Sequence, residues 1–209
     1  MCARVGKKNN WWYSNLKYMK YHKDDIYTSQ GTLAEVENKP NLDILMNVFN
    51  IPRAFGVSGF TRNWNVGMHS MATAFIALYW AKFNNFNITK RDKFVSQAFL
   101  HDIHEAVTGD ILPHFKSKTV KKQLDSIQHN LLHALGTEED ESLKTDLKIV
   151  DLIAFLYEIK QVSPSILNSK KMNLANTIAE KQKEILFGYC RENKVSIEKI
   201  QEFLRSIEI

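Results

Sequence analysis

The chain has 209 residues, 44% of them apolar, with 12 Phe and 4 Trp, enough to bury one sizeable core within the size of a single domain. Its 28 basic and 23 acidic residues leave a formal charge of +5 and a pI near 9.1, a mild excess that suits anionic ligands; no zinc-finger, RNP or basic-zipper pattern accompanies it, so nucleic acid is not expected as a partner. No apolar run approaches the ~20 residues of a membrane span, the polar, Lys-rich start does not read as a secretory leader, and two cysteines, Cys2 and Cys190, build neither a disulfide framework nor a thiolate site. A cytoplasmic protein is the expectation.

Residues 1–40 carry Gly31 and Pro40, lack helical periodicity and read as an N-terminal extension, with one short helix around Trp11 to Tyr21. Residues 41–209 read as the helical domain. From Asn41 the run LDILMNVF predicts a short helix, and the stretch after Ile51, with Pro52, Gly56 and Gly59, predicts a loop. The next helix is predicted to start near Asn65 and to run to about Phe83, with Val66, His69, Thr73, Ile76 and Trp80 on one face. A third opens on Thr89 and Asp92, a pair resembling a capping box, and stops at Gly109. A fourth is expected over about 117–135, closed by Gly136, and a fifth over about 142–162, closed by Ser163-Pro164. Two more follow, over about 170–193 and from a Ser196 cap onward, the last with Ile197, Ile200, Phe203, Leu204 and Ile207 on its apolar side. No alternating strand pattern competes. The expected fold is all-α, an irregular helical bundle.

Three of these helices carry ionisable residues where carbon should be buried. In FVSQAFLHDIHEAVTG the apolar stripe through Phe94, Ala98 and Phe99 runs into His101, Asp102 and Glu105, which are spaced to project toward one point. Asp151 lies on the stripe of Leu143, Leu147, Val150, Ala154 and Phe155, and His69 interrupts Val66, Thr73 and Ile76. Burying such groups is expensive unless they pair or bind a cation, and facing helices in a bundle core can assemble a metal site. A lone histidine on an apolar face is ordinarily a hydrogen-bonded core residue. The adjacent His101-Asp102 pair and Asp151 are harder to explain that way. Two imidazoles and two carboxylates without sulfur suit a divalent ion, with Mn²⁺, Co²⁺, Fe²⁺, Ni²⁺, Zn²⁺ and Mg²⁺ as candidates.

The order His69, His101-Asp102, Asp151, all on helices, resembles the HD-domain phosphohydrolase superfamily. Asn65-Val66 before His69-Ser70, and HDIHEAVTGDILPHFK after them, are similar to segments of the bacterial HD-domain 5′-deoxynucleotidases and the phage HD-domain deoxyadenosine triphosphatases. The resemblance covers about 53–158. It implies His69, His101, Asp102 and Asp151 as metal ligands, Glu105 as the carboxylate handling protons near the attacking water, Lys116 as a lysine near the phosphates, and Asp110 as a residue close to the sugar. An Arg-Trp pair in those nucleotidases is matched by Arg53-Ala54, so the tryptophan is absent; Trp64 is the candidate to replace it, and Arg62 is a second candidate for phosphate. His104 is read as a supporting or surface residue rather than a ligand. The implied reaction is hydrolysis of a nucleotide phosphate ester by metal-activated water, with a deoxynucleoside monophosphate as substrate. Alternatives are release of triphosphate from a deoxynucleoside triphosphate, and a non-catalytic metal-containing module that acts through partner binding. Family analogy also leads one to expect a homo-oligomer.

Overall fold

Side-chain caps set the starts of most helices. In the computed structural model, which describes residues 27–28, 31–53, 64–112, 115–161 and 169–209, a two-residue ladder of β1 (Tyr27–Thr28) and β2 (Gly31–Thr32) leads into α1 (Leu33–Asn38). Thr32 and Glu35 form a reciprocal capping box there. Asn41 caps α2 (Leu42–Met46), which tightens into a 3₁₀ turn (Asn47–Phe49). Asn65 caps α3 (Val66–Phe83), its Oδ1 accepting from Met68 N at 2.8 Å. Ser117 caps α6 (Lys118–Ala134) and Ser196 caps α9 (Ile197–Ser206). Between them lie α7 (Lys144–Lys160), entered through a 3₁₀ turn (Glu141–Leu143), and α8 (Ser169–Glu192). Gly136, at φ +71°, closes α6 in the left-handed conformation that glycine adopts without steric cost.

The third predicted helix is divided. Its cap is Asn87, whose Oδ1 accepts from Lys90 N at 2.9 Å, so α4 begins at Ile88 rather than on the Thr89 and Asp92 pair. The helix ends at Leu100, residues 101–104 form a turn, and a short α5 (Glu105–Thr108) follows before Gly109. Gln128 of α6 holds this break. Its Nε2 donates to the Leu100 carbonyl at 2.8 Å, which also accepts from Ile103 N, and its Oε1 accepts from the His104 N–H at 3.1 Å, a donor the helical ladder no longer satisfies. The rotation of α4 also turns Phe99 outward, 44% exposed, while Phe94, Gln97 and Ala98 point inward. Helix α1 is a further difference, because it lies within residues read as lacking helical order. Leu33 and Val36 are buried, and Asn130 of α6 donates to Glu37 at 2.8 Å. The proposed helix around Trp11 to Tyr21 and the Gly56 and Gly59 loop fall outside the described residues.

Helix α3 packs most extensively on α4 and α7, and α7 on α8. One core fills the space between α3, α4, α7, α8 and α9 around Trp80, Phe94, Ile153, Leu186 and Phe203, with the Trp80 and Phe203 rings edge to face at 4.9 Å. A second, smaller core joins Leu33, Val48, Val66, Ile103 and Leu131. Gly67 permits the close approach of α3 to the 3₁₀ turn, since a Cβ there would lie 2.5 Å from the Phe49 ring. Among the described residues no helix is long and apolar enough to cross a membrane. The fold is all-α apart from the short ladder, as the sequence predicts.

Because the Leu100 carbonyl also accepts from Ile103 N at 3.1 Å, Gln128→Ala should leave the His104 N–H as the unsatisfied backbone group and cost about 1–3 kcal/mol if it stays buried. Urea unfolding in the presence of a chelator measures this directly. A loss within the error of the method would show that the break is held by something else.

Candidate metal centre

The site forms between the two cores, where α3, the α4–α5 turn and α7 face one another. His69 is fully buried in α3, and its Nε2 lies 3.1 Å from Asp151 Oδ1 of α7 and 3.8 Å from Asp102 Oδ2. His101 Nε2 lies 3.1 Å from Asp102 Oδ2 and 3.6 Å from Asp151 Oδ1. One donor atom from each of His69, His101 and Asp151 falls within 4.8 Å of the others. Asp102, whose carboxylate faces both imidazoles, stands beside that trio.

Each imidazole has its other nitrogen engaged. His69 Nδ1 meets Glu158 Oε1, and His101 Nδ1 donates to the Ala98 carbonyl at 2.8 Å. A hydrogen on each Nδ1 leaves both Nε2 lone pairs aimed into the same space, the tautomer a metal-binding histidine needs. His101 Nε2 is buried and makes no hydrogen bond. An orphaned buried acceptor between carboxylates fits a cation. Charge supports this: five carboxylates, Asp102, Glu105, Asp110, Asp151 and Glu158, gather with Arg53, Lys116 and Lys148 as the permanently charged cations among the described residues in contact with them.

Without a metal, protons take part of that role. Burial opposes charge on His69 and His101, and so does Arg53 at His69, yet Asp151 and Glu158 hold His69 above its usual value and Asp102 and Asp151 hold His101 well above it. For Asp102 burial is likewise outweighed, by the His101 imidazolium and then His69, and its carboxyl lies far below the usual range. Asp151 follows suit through Lys148, whose ammonium sits 2.7 Å from Oδ2, and through both histidines. Glu105 behaves oppositely. Burial, reinforced by the charges of Asp102 and Asp110, outweighs Arg53 and Lys116 and pushes its carboxyl up to about 9. A divalent cation alongside would draw it back down.

The residues singled out from sequence come together here, with one outside the described region. Arg53 Nη1 reaches Asp102 at 3.8 Å, Glu105 at 3.9 Å and Asp110 at 3.8 Å, and Lys116 Nζ lies 3.8 Å from Glu105. Arg62 lies outside the described residues. Trp64 is next to Arg53 because the two ends of the intervening loop are tied by Arg53 N donating to Trp64 O at 3.3 Å and Val66 N to Ile51 O at 3.0 Å. Its indole meets Tyr157 edge to face at 6.3 Å, and its Nε1 is buried with no hydrogen-bond partner. His104 is no ligand here. It is buried, with Nδ1 3.1 Å from Gln128, and burial lowers its pKa.

Two site residues escaped the sequence reading. Glu158 lies seven positions after Asp151 and therefore on the same side of α7, and Lys148 lies three before it. That spacing was the available signal. Both look like ordinary charges at the ends of a helix until the partner helix is in place.

A cavity of about 750 Å³ opens over the centre, with His101, Asp102 and Asp151 in its wall and Lys116, Lys121 and Lys148 among its lining residues. Over residues 42–181 the sequence matches the 5′-deoxynucleotidase YfbR-like family. The chain belongs to this family. No curated protein matches it. Among solved structures, the HD phosphohydrolase DatZ of cyanophage S-2L, bound to dA and one catalytic Zn²⁺ ion, is similar in fold, with a TM-score of 0.62 at 16% identity over 80% of this chain and 94% of that one. This YfbR-like chain is a metal-dependent nucleotide phosphohydrolase of HD-domain type.

Two outcomes follow for metal binding. Glu158→Gln should weaken affinity by about 10- to 100-fold, as loss of a carboxylate behind a ligating histidine does. Ligation needs neutral imidazoles, and both histidines titrate above their usual value in the free protein, so apparent affinity should fall as pH drops through that raised range. Competition against a chelating dye between about pH 6 and 9 reads both, and a flat profile would contradict the second.

Proposed function

We propose that the protein hydrolyses the 5′-phosphate of deoxynucleoside monophosphates, with His69, His101, Asp102 and Asp151 holding a divalent metal. The observation that carries the reading is the pair of Nε2 atoms converging with Asp151 and Asp102 in the wall of a cavity that Lys116 also lines, in a chain of the YfbR-like 5′-deoxynucleotidase family. When bound there, a divalent ion supplies Lewis acidity and a nucleophile derived from water at neutral pH.

The chain's own residues supply the rest. Glu105, buried at the centre and ionised once a divalent cation stands alongside, is the base that takes the proton of the attacking water and returns it to the leaving 5′-oxygen. The new bond joins the water oxygen to phosphorus, the bond from phosphorus to O5′ breaks, and the products are the deoxynucleoside and inorganic phosphate. Arg53, already turned toward the centre, and Lys116 offset the charge that grows on the phosphoryl oxygens. Trp64, beside Arg53 with an unpartnered Nε1, takes the place of the tryptophan missing at Ala54 and packs near the sugar, as does Asp110, 3.8 Å from Arg53 Nη1. Arg62 is held as a second phosphate ligand.

One observation favours a longer substrate. The cavity of about 750 Å³ runs from the centre past Lys116 to Lys121, more room than a single phosphate requires. A triphosphate would use it, with triphosphate as the released product; DatZ, the structural relative, was solved with dA.

Metal-stripped protein should release nothing from a panel of deoxynucleoside mono- and triphosphates, and re-adding Mn²⁺, Co²⁺, Ni²⁺, Zn²⁺ or Mg²⁺ should restore turnover. Phosphate release from monophosphates supports the reading, and triphosphate release from triphosphates supports the longer substrate. Asp102→Ala should be inactive with its helical signal intact, and Glu105→Gln should lose about 10²- to 10⁴-fold in kcat. Full activity in the stripped sample, or turnover of no nucleotide with any metal, would overturn the proposal.

A further inference from the structure

Glu158 is fully buried in α7, and its two oxygens have different surroundings. Oε1 meets His69 Nδ1, while Oε2 makes no hydrogen bond and faces Arg53 Nε at 3.8 Å. A carboxylate withdrawn this far from water needs a cation beside it as well as hydrogen bonds. Arg53 is the only arginine or lysine paired with it among the described residues.

Arg53 is held end-on. Its side chain is 14% exposed, with Nε toward Glu158 and Nη1 3.8 Å from Asp102, 3.9 Å from Glu105 and 3.8 Å from Asp110. Nε is the root of the planar guanidinium fork, so a partner there fixes the direction in which the terminal N–H groups point. The backbone end is tied by Arg53 N donating to Trp64 O. Between these two anchors runs a long side chain that is rotamer-rich when free.

We propose that Glu158 is a positioning residue for substrate: by anchoring Arg53 Nε it keeps the guanidinium end turned to where the phosphate is bound. One carboxylate then sets both a histidine of the metal centre and the arginine of the phosphate site. The inference rests on the reading of Arg53 as a phosphate ligand. No other carboxylate at the centre does this, because Asp102, Glu105 and Asp110 meet the Nη1 end that must turn to phosphate, and Lys116 pairs with Glu105 rather than Glu158. The separation of 3.8 Å suits a free site, where contacts of catalytic groups are often long and tighten once substrate is bound. Support of His69 alone predicts a different outcome. A glutamine at 158 still offers His69 Nδ1 an acceptor but turns an uncharged amide to Arg53.

The test uses the full chain at saturating metal, where a loss of metal affinity no longer shows. Inorganic phosphate, a product of the proposed reaction, is the probe; its dissociation constant is measured by calorimetry beside kcat and KM for the nucleotide turned over. Glu158→Gln should weaken phosphate binding about 10-fold and raise KM with a smaller change in kcat, and Glu158→Asp, which keeps the charge, should recover part of the loss. Arg53→Ala should bind phosphate at least as weakly, and adding Glu158→Gln to it should cost nothing further. Glu158→Gln combined with Lys116→Ala should instead give the product of the two single effects. If Arg53→Ala fails to fold with Glu158 left unpaired, Arg53→Lys, which lacks the Nε donor, takes its place. Losses that multiply in the Arg53 pair, or a phosphate affinity of Glu158→Gln equal to wild type, overturn the proposal. Wild-type affinity in Arg53→Ala overturns it together with the reading of Arg53 as a phosphate ligand, whereas an impaired Arg53→Ala beside a normal Glu158→Gln leaves that reading standing.

Discussion

A group of carboxylates buried between two apolar cores has to be neutralised, and much of the molecule is arranged around that requirement. Charges withdrawn from water lose solvation that only close partners return. Arg53 touches four of the five carboxylates, Lys148 covers the outer oxygen of Asp151, and protons on His69 and His101 balance the remainder when no metal is present. The same electrostatics that make the free site costly make it receptive to a divalent ion.

The residues proposed as ligands are positioned by two packed helices and one braced turn. His69 and Asp151 are set by α3 and α7, which pack directly on one another, and His101 and Asp102 by a helix break that Gln128 stabilises from α6. Asn47 adds a bond to the Ala106 carbonyl at 2.8 Å, tying α5 to the second core. The His104 N–H and the Ala106 carbonyl are thus satisfied by side chains from distant segments, and the turn keeps its shape without regular structure. Likeness of fold to DatZ at 16% identity shows that this helical scaffold accommodates wide change in sequence.

Helix α3 serves two surfaces. Inward it delivers His69 against Glu158, and outward it leaves methionine and aromatic side chains exposed. The inner face combines charge neutralisation around His69 with apolar packing around Trp80 and Ile76.

The helices themselves were legible from periodicity and capping residues: Asn65, Ser117 and Ser196 begin the helices they were expected to begin, and Gly136 ends one. Asp151 and the His101-Asp102 pair stood out because a charge on an apolar stripe violates the pattern that makes a helix pack. Tertiary structure alone decided the rest. The α4–α5 break depends on Gln128, 24 residues beyond His104, and the partner of His69 is Glu158, 89 residues along the chain. Local sequence carries the periodicity that folds a helix, because those forces act within a few turns. Which carboxylate backs which histidine depends on how α3 and α7 cross, and that is settled only when the two apolar cores close.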